Sequence, residues 1–425
     1  MKTQMTNNDL PKILIIGTLP YDPNESSRAL DTYFHNWPKE KLRMVFSNSK
    51  NPSKGHCSSF YQITDVDVFK NFFLKKKTVG RIFFEENLKG KKEEKTPSKL
   101  SKVANIFKKK TFFRFYLRKL LWGKKRWLSD SLSEWVSEFK PEILYLCLSD
   151  DYFILDIAYY FSQKLNIPLI VQIGDDYFFK KHPPLLYFYN THYKKLFIDI
   201  MNTKGFGVYI SDKLADKYNS YFRKQGFPIY LSSTIESIET TFKFEFNYFG
   251  KTDLGRYKSL ALLGDALYKI NPVYKINVYS NFSNGKIINF LTNHNCCCHN
   301  AVTYEKVIQI MNSGAINIVA SGFDKADIES TRYSLSTKIA DSLVSSGPII
   351  AIGPKGDGAI DYLRDKNCAI VLDNKIIDVE QLKTFLGDKD LLRSISSNAK
   401  EVYNRFHNLE KNRKRFENEC LKIGM

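Results

Sequence analysis

The chain is expected to fold as two doubly wound α/β domains, and three observations carry that expectation. Short apolar runs alternate with helical patterns along nearly the whole sequence. The alternation occurs twice, before and after a Ser/Thr-rich stretch at Ser232 to Glu245. The length of 425 residues is too great for one ordinary core, and suits two of about 200 residues each. A hydrophobic content of 43% supplies both cores and argues against disorder over most of the length.

In the first half, Lys12 to Gly17, Leu42 to Asn48, Glu142 to Leu148, Leu169 to Gly174 and Phe206 to Ser211 are short apolar runs. Runs of this kind suit parallel strands buried on both faces. Helical patterns fall at Leu128 to Phe139, Tyr152 to Leu165, Leu185 to Met201 and Lys213 to Phe222. In the second half, strands are expected at Phe246 to Gly250, Tyr274 to Ser280, Gly314 to Ala320, Pro348 to Gly353 and Cys368 to Leu372. Helices are expected at Tyr257 to Ile270, Tyr304 to Met311, Ser336 to Ser345 and Ala359 to Arg364, with one long helical stretch from Leu391 to Cys420. The domain reading is therefore 1–235 for the first, with a basic insertion at about 75–127, and 236–400 for the second. Residues 401–425 form a final helix that packs back towards the first. In such a fold, ligands bind beyond the carboxyl ends of the strands.

Seven cysteines, three of them consecutive at Cys296 to Cys298, do not form a disulfide framework, and a reducing compartment fits them best. Beside His294 and His299 they lack the separated pairs that structural zinc favours, so no metal site is expected. The N-terminal apolar run reads as a strand rather than a signal peptide, and no run of about 20 apolar residues is present. A cytoplasmic location follows. The net charge of +19 is concentrated: Lys75 to Trp127 hold 19 Lys and Arg against 4 Glu. A local basic patch needs a local partner.

Several blocks resemble a known group. "FNYFGKTDLGRYKSLALLGDAL", "VTYEKV" and "RYSLSTKIADSLVSSGPIIAIGP" in the second half, with "GDDYFF" and "YISDKLADKY" in the first, are similar to bacterial glycosyltransferases of the family 4-like group. The resemblance implies the GT-B fold, in which two Rossmann-like domains face a cleft. It implies a nucleotide-diphosphate sugar donor on the second domain and a glycan or lipid-linked acceptor on the first, in bacterial surface polysaccharide synthesis. It implies no cofactor beyond the donor and no metal. Where that group carries two glutamates eight residues apart, this chain has Tyr333 and Asp341. That departure leaves the stereochemical outcome open. It also keeps one alternative, a non-catalytic nucleotide-sugar-binding subunit, while a nucleotide-sugar epimerase built on the same two sheets is a separate rival that a soluble acceptor would favour.

The residues themselves suggest where the chemistry sits. Ser334 or Ser336 is the expected N-cap of a helix over Ser336 to Ser345, which turns free N–H groups and a dipole end towards phosphate. Thr337 and Lys338 add a hydroxyl and a charge, and Asp341 suits the hydroxyls of a ribose. Between a strand and a helix, Arg256 can fork two donors onto a diphosphate, with Lys258 as the second cation. Asp175 and Asp176 follow a strand of the first half, and one of them suits a general base for an acceptor hydroxyl. They equally suit helix caps. Gly17 and Thr18 end the first strand, and Arg28 is placed to meet acceptor phosphate.

Phe113, Leu117, Leu120 and Leu121 share a helix face in the segment 105–127, with Trp122 and Trp127 near its end. Basic and aromatic residues mixed in this way suit an anionic membrane surface, which places the chain at the inner face of the cytoplasmic membrane. A helix packed on the first sheet, with a solvated basic face, is the plainer reading. Nucleic acid is the lesser rival.

Overall fold

The computed structural model describes residues 10–22, 28–74, 78–88, 112–224, 226–238, 240–282 and 284–424. The chain divides into two compact units, Met1–Ile229 with Arg413–Met425, and Tyr230–Asn412.

The first unit is built on β1 (Ile13–Gly17), β2 (Leu42–Phe46), β3 (Ser59–Gln62), β4 (Arg81–Phe84), β5 (Ile143–Cys147), β6 (Leu169–Ile173), β7 (Gly205–Tyr209) and β8 (Phe227–Pro228), in the sheet order β4-β3-β2-β1-β5-β6-β7-β8. Every pairing is parallel except β3 with β4. β1 and β6 are buried at every residue, as strands covered by helices on both faces must be. Ser129 and Ser211 cap the helices Asp130–Phe139 and Asp212–Phe222, their hydroxyls accepting from Leu132 N and Leu214 N. Phe416, from the last helix, stacks on Tyr33 and meets Phe34 and Tyr145 edge-on, so the chain end completes this unit's core.

The second unit holds β9 (Lys243–Phe249), β10 (Ile276–Ser280), β11 (Cys296–Asn300), β12 (Ala315–Ala320), β13 (Ile349–Ile352) and β14 (Ile370–Leu372), all parallel in the order β11-β10-β9-β12-β13-β14. Leu260, Leu263 and Leu267 of the helix Arg256–Ile270 pack onto Phe246, Val278, Ile316 and Ile350.

Three expectations need correction. The long terminal helix is broken into Lys389–Val402, a π-turn at Tyr403–His407 and Leu409–Gly424. The break sits at buried His407, whose Nδ1–H donates to Leu231 O at 2.7 Å while Nε2 accepts from Tyr362 Oη at 2.8 Å. Inserting that side chain favours the wider turn. Of the basic insertion, 75–77 and 89–111 lie outside the described residues. Its described parts are β4, an edge strand, and the helix Phe112–Trp122. Finally, Phe113, Leu117, Leu120 and Leu121 do not share one environment. Leu121 and Trp122 are buried, Phe113 and Leu120 are exposed, and Trp127 is fully buried. Two distant carboxylates decide this. Trp122 Nε1 donates to Asp65 at 2.7 Å and Trp127 Nε1 to Asp156 at 3.1 Å, while Trp122 stacks on Phe153 at 3.8 Å between centroids. Buried Arg118 bridges Asp65 at 2.9 Å and Asp151 at 2.5 Å. Burial opposes its charge, but the two carboxylates more than offset this and raise its pKa. The inner face of this helix is therefore structural, but it packs on the helices Asp65–Leu74 and Tyr152–Leu165 and not on the sheet as the plainer reading expected.

Candidate functional site

In the second unit the chain begins at the middle of the sheet, builds β10 and β11 to one side, then β12, β13 and β14 to the other. The direction reverses between β9 and β12, so the gap beyond their carboxyl ends is the switch point where open α/β sheets bind ligands. Two turns flank it: Gly250 to Gly255 after β9, and Ser321 to Asp324 after β12.

The first turn is shaped by glycine. Gly250 has φ +146° and Gly255 has φ +70°, both disfavoured for side-chain-bearing residues. A Cβ on Gly250 would lie 2.1 Å from Lys338 Nζ, so the ammonium rests against this glycine's backbone. Arg256 opens the following helix, its guanidinium held by Asp253 at 2.9 Å. Lys258 pairs with Asp324 of the second turn at 2.8 Å. That hydrogen bond and charge raise the lysine pKa and lower the aspartate pKa. Arg256, Lys258 and Lys338 are thus gathered round one turn, as cations suited to a diphosphate.

The helix-end part of the expectation is corrected. The helix is Ile339–Val344, not Ser336 to Ser345, and neither Ser334 nor Ser336 caps it. Leu335 is buried, and the chain turns once before the helix begins. Ser336 Oγ accepts from Lys338 N at 3.4 Å and Ser336 O from Ile339 N at 3.0 Å, so those N–H groups are already engaged. Neighbouring helix starts are occupied too. Arg256 N, Tyr257 N and Lys258 N donate to Asp253, Thr252 and Gly255 carbonyls, and Asp357 accepts from Ala359 N and Ile360 N. Anion attraction here rests on side-chain charge more than on helix ends. Ser336 and Thr337 are exposed ahead of Lys338. Asp341 is buried, its Oδ1 accepting from Ser233 Oγ at 2.6 Å and Tyr304 Oη at 3.2 Å.

The first unit reverses between β1 and β5. Gly17 is buried at the end of β1 and lies against Cys147 of β5, and Thr18 follows, half-buried. Arg28 opens the helix Arg28–Phe34, and its side chain lies outside the described residues. Asp175 and Asp176 follow β6, one strand further out. They differ sharply. Asp176 receives Lys217 Nζ at 2.9 Å, Tyr218 Oη at 3.0 Å and Phe179 N at 2.9 Å, so it organises its own turn. Asp175 is exposed and accepts from Tyr177 Oη at a long 3.4 Å. Sequence reasoning missed Asp253 and Asp324, the counter-charges of the cations. The signal was an aspartate four residues after each strand end.

Among the described residues, no group of three or more His, Cys, Asp or Glu is placed to hold a metal ion, and no helix is long and apolar enough to cross a membrane.

No family model matches the chain, and no curated protein matches it in sequence. Solved structures do match in fold. Anabaena HepE, crystallised with UDP, superposes with a TM-score of 0.59 at 10% identity, over 97% of this chain and 100% of that one. Sucrose-phosphate synthase from Thermosynechococcus elongatus gives 0.55 at 10% identity, over 97% and 99%. The trehalose-phosphate synthase of Burkholderia xenovorans gives 0.55 at 6% identity, over 96% and 99%. The chain has the GT-B fold of these glycosyltransferase structures, with two Rossmann-like units.

Proposed function

We propose that the chain is a glycosyltransferase that takes a sugar from a nucleotide-diphosphate donor bound at the switch point of its second unit. The observation that carries this reading is the placement of Lys338 against Gly250, with Arg256 on the same turn. Two cations around one glycine turn suit a pyrophosphate, and fixed positive charge is what a departing nucleoside diphosphate requires. HepE has been crystallised with UDP and with UDP-glucose, so uridine donors are the first to test.

The proposed reaction breaks the bond between the anomeric carbon and the donor phosphate oxygen, whose electrons stay with the nucleoside diphosphate. An acceptor hydroxyl forms the new bond at that carbon and gives its proton to a carboxylate. Asp175, the more exposed of the pair, suits that role, and Asp176 organises its own turn. Gly17, Thr18 and Arg28 belong to the acceptor side. A glycan or lipid-linked acceptor in bacterial surface polysaccharide synthesis fits the basic aromatic segment 105–127, with the enzyme working at the inner face of the cytoplasmic membrane. Tyr333, standing where the resembling group has a glutamate, favours one second reading: a subunit that binds the nucleotide sugar without turning it over.

The test is incubation of the full-length protein with a panel of nucleotide sugars, following release of nucleoside diphosphate. Slow hydrolysis of one donor supports the enzyme, and binding without release supports the second reading. Neither binding nor release for any donor refutes both.

A further inference from the structure

The first unit carries an apolar surface that the donor and acceptor chemistry does not use. At the entry to the helix Tyr187–Thr203, Leu185 is 66% exposed, Tyr187 66% and Phe188 73%. Beside them, Phe113 is 67% and Leu120 59% exposed on the helix Phe112–Trp122. The two groups are neighbours. Tyr116 Oη donates to Leu185 O at 2.7 Å, and Phe112, Phe113 and Leu120 lie one turn from Tyr116 on the same helix face. Large apolar side chains clustered in this way on a surface indicate an interaction site.

Along the two sequence segments that carry the cluster the charge has one sign, and the acid acting on the recess, Asp150 beside His182, comes from the turn after β5. From Tyr177 to Ile198 the sequence has no Asp or Glu and carries Lys180, Lys181, Lys194 and Lys195. Three of these, Lys180, Lys181 and Lys194, line a recess of about 490 Å³ together with His182, Pro183 and Tyr187. From Phe112 to Trp127 there is again no acid.

We infer that the Leu185–Phe188 turn and its lysine recess are the point at which this chain docks on a bilayer surface carrying anionic phospholipid. Leu185, Tyr187 and Phe188 enter the headgroup boundary, and Lys180, Lys181 and Lys194 receive lipid phosphates in the recess. Two features select lipid over other partners. Leu185 and Leu120 have no ring face for a base to stack on, which weighs against single-stranded nucleic acid. The cations of the turn are all lysines, which protein interfaces disfavour relative to arginine. The inference deepens the membrane reading of segment 105–127 and rests on it. It moves the centre of contact to a turn that the sequence pattern did not single out.

Sedimentation of the full-length protein with vesicles reads this directly, and needs no sugar donor. The protein is expected to bind phosphatidylcholine vesicles containing phosphatidylglycerol, to bind phosphatidylcholine alone far less, and to lose binding as salt rises. Tyr187→Ser with Phe188→Ser, and separately Lys180→Glu with Lys181→Glu, should each weaken binding by roughly tenfold or more. All four side chains are exposed, so folding should survive. As a second readout, Leu185→Trp should shift its emission to the blue on anionic vesicles. Equal binding to both vesicle types, or tighter binding to single-stranded RNA, overturns the inference. So does absence of binding, including the case of a dimer that Phe188→Ser disperses. If binding survives both double variants but falls with Phe113→Ser and Leu120→Ser, the helix reading stands and this turn is excluded.

Discussion

The two units share a sheet plan but present different charge beyond their strand ends. Beyond β5 and β6 of the first, the chain supplies Asp150, Asp151, Asp175 and Asp176 ahead of Lys180 and Lys181, with Asp151 and Asp176 bound by Arg118 and Lys217. Beyond β9 of the second, one glycine turn gathers Arg256, Lys258 and Lys338. Strand order alone therefore does not decide which unit holds an anion. What decides is whether glycine lets a cation rest on the backbone at the strand end. By this comparison the second unit suits a diphosphate and the first suits a hydroxyl that must lose a proton.

The comparison can be broken at either end. The largest expected effect is on turnover. Asp175→Asn should lower kcat by about 100-fold or more while leaving UDP affinity nearly unchanged, as steady-state kinetics and calorimetry with UDP will show. Asp176→Asn should instead lower thermal stability, because Lys217 and Tyr218 lose a shared partner. If Asp176→Asn abolishes turnover in a stable protein and Asp175→Asn does not, the base is misassigned. Next, Arg256→Ala should weaken UDP binding by roughly 10- to 100-fold, the range for a charge-assisted contact. Lys258→Ala, whose pair with Asp324 is solvent-exposed, should weaken it by less than about threefold.

A smaller effect lies outside the site. Burial lowers the pKa of His407 to about 4, and the Leu231 carbonyl pulls the other way. The folded value lies below the unfolded one, so the unfolded chain binds more protons between them. The contribution is complete above about pH 6.5 and is lost as pH falls towards 4. It amounts to about 3 kcal/mol at most. His407→Gln should flatten the dependence of chemical-denaturation midpoints over that window. An unchanged slope would show that this histidine does not report on the fold.

Much of the architecture was legible in the sequence, because β1, β5 and β6 are buried on both faces and read as unbroken apolar runs. β3 and β4 escaped because β4 is an exposed antiparallel edge with no such run, and β3, its partner, is only four residues long. The cations of the candidate site were legible as residue types. Their arrangement was not, since Lys338 meets Gly250 across 88 positions and Lys258 meets Asp324 across 66. Ser336 and Thr337 read as a helix start because hydroxyls favour caps, but burying Leu335 and Ile339 delays the helix until after Lys338. In the same way Trp122 and Trp127 read as membrane-facing until Asp65 and Asp156 took their indole protons' hydrogen bonds and drew them inside.

The most direct test of the donor site is a calorimetric titration of UDP into the wild-type protein, Lys338→Ala and Gly250→Ala. The Lys338 ammonium rests on Gly250 and a side chain there displaces it. Both variants should therefore raise Kd by about tenfold or more, Lys338→Ala without loss of thermal stability and Gly250→Ala with some loss, because alanine is strained at φ +146°. Unchanged affinity in both would contradict the assignment of this turn to the diphosphate.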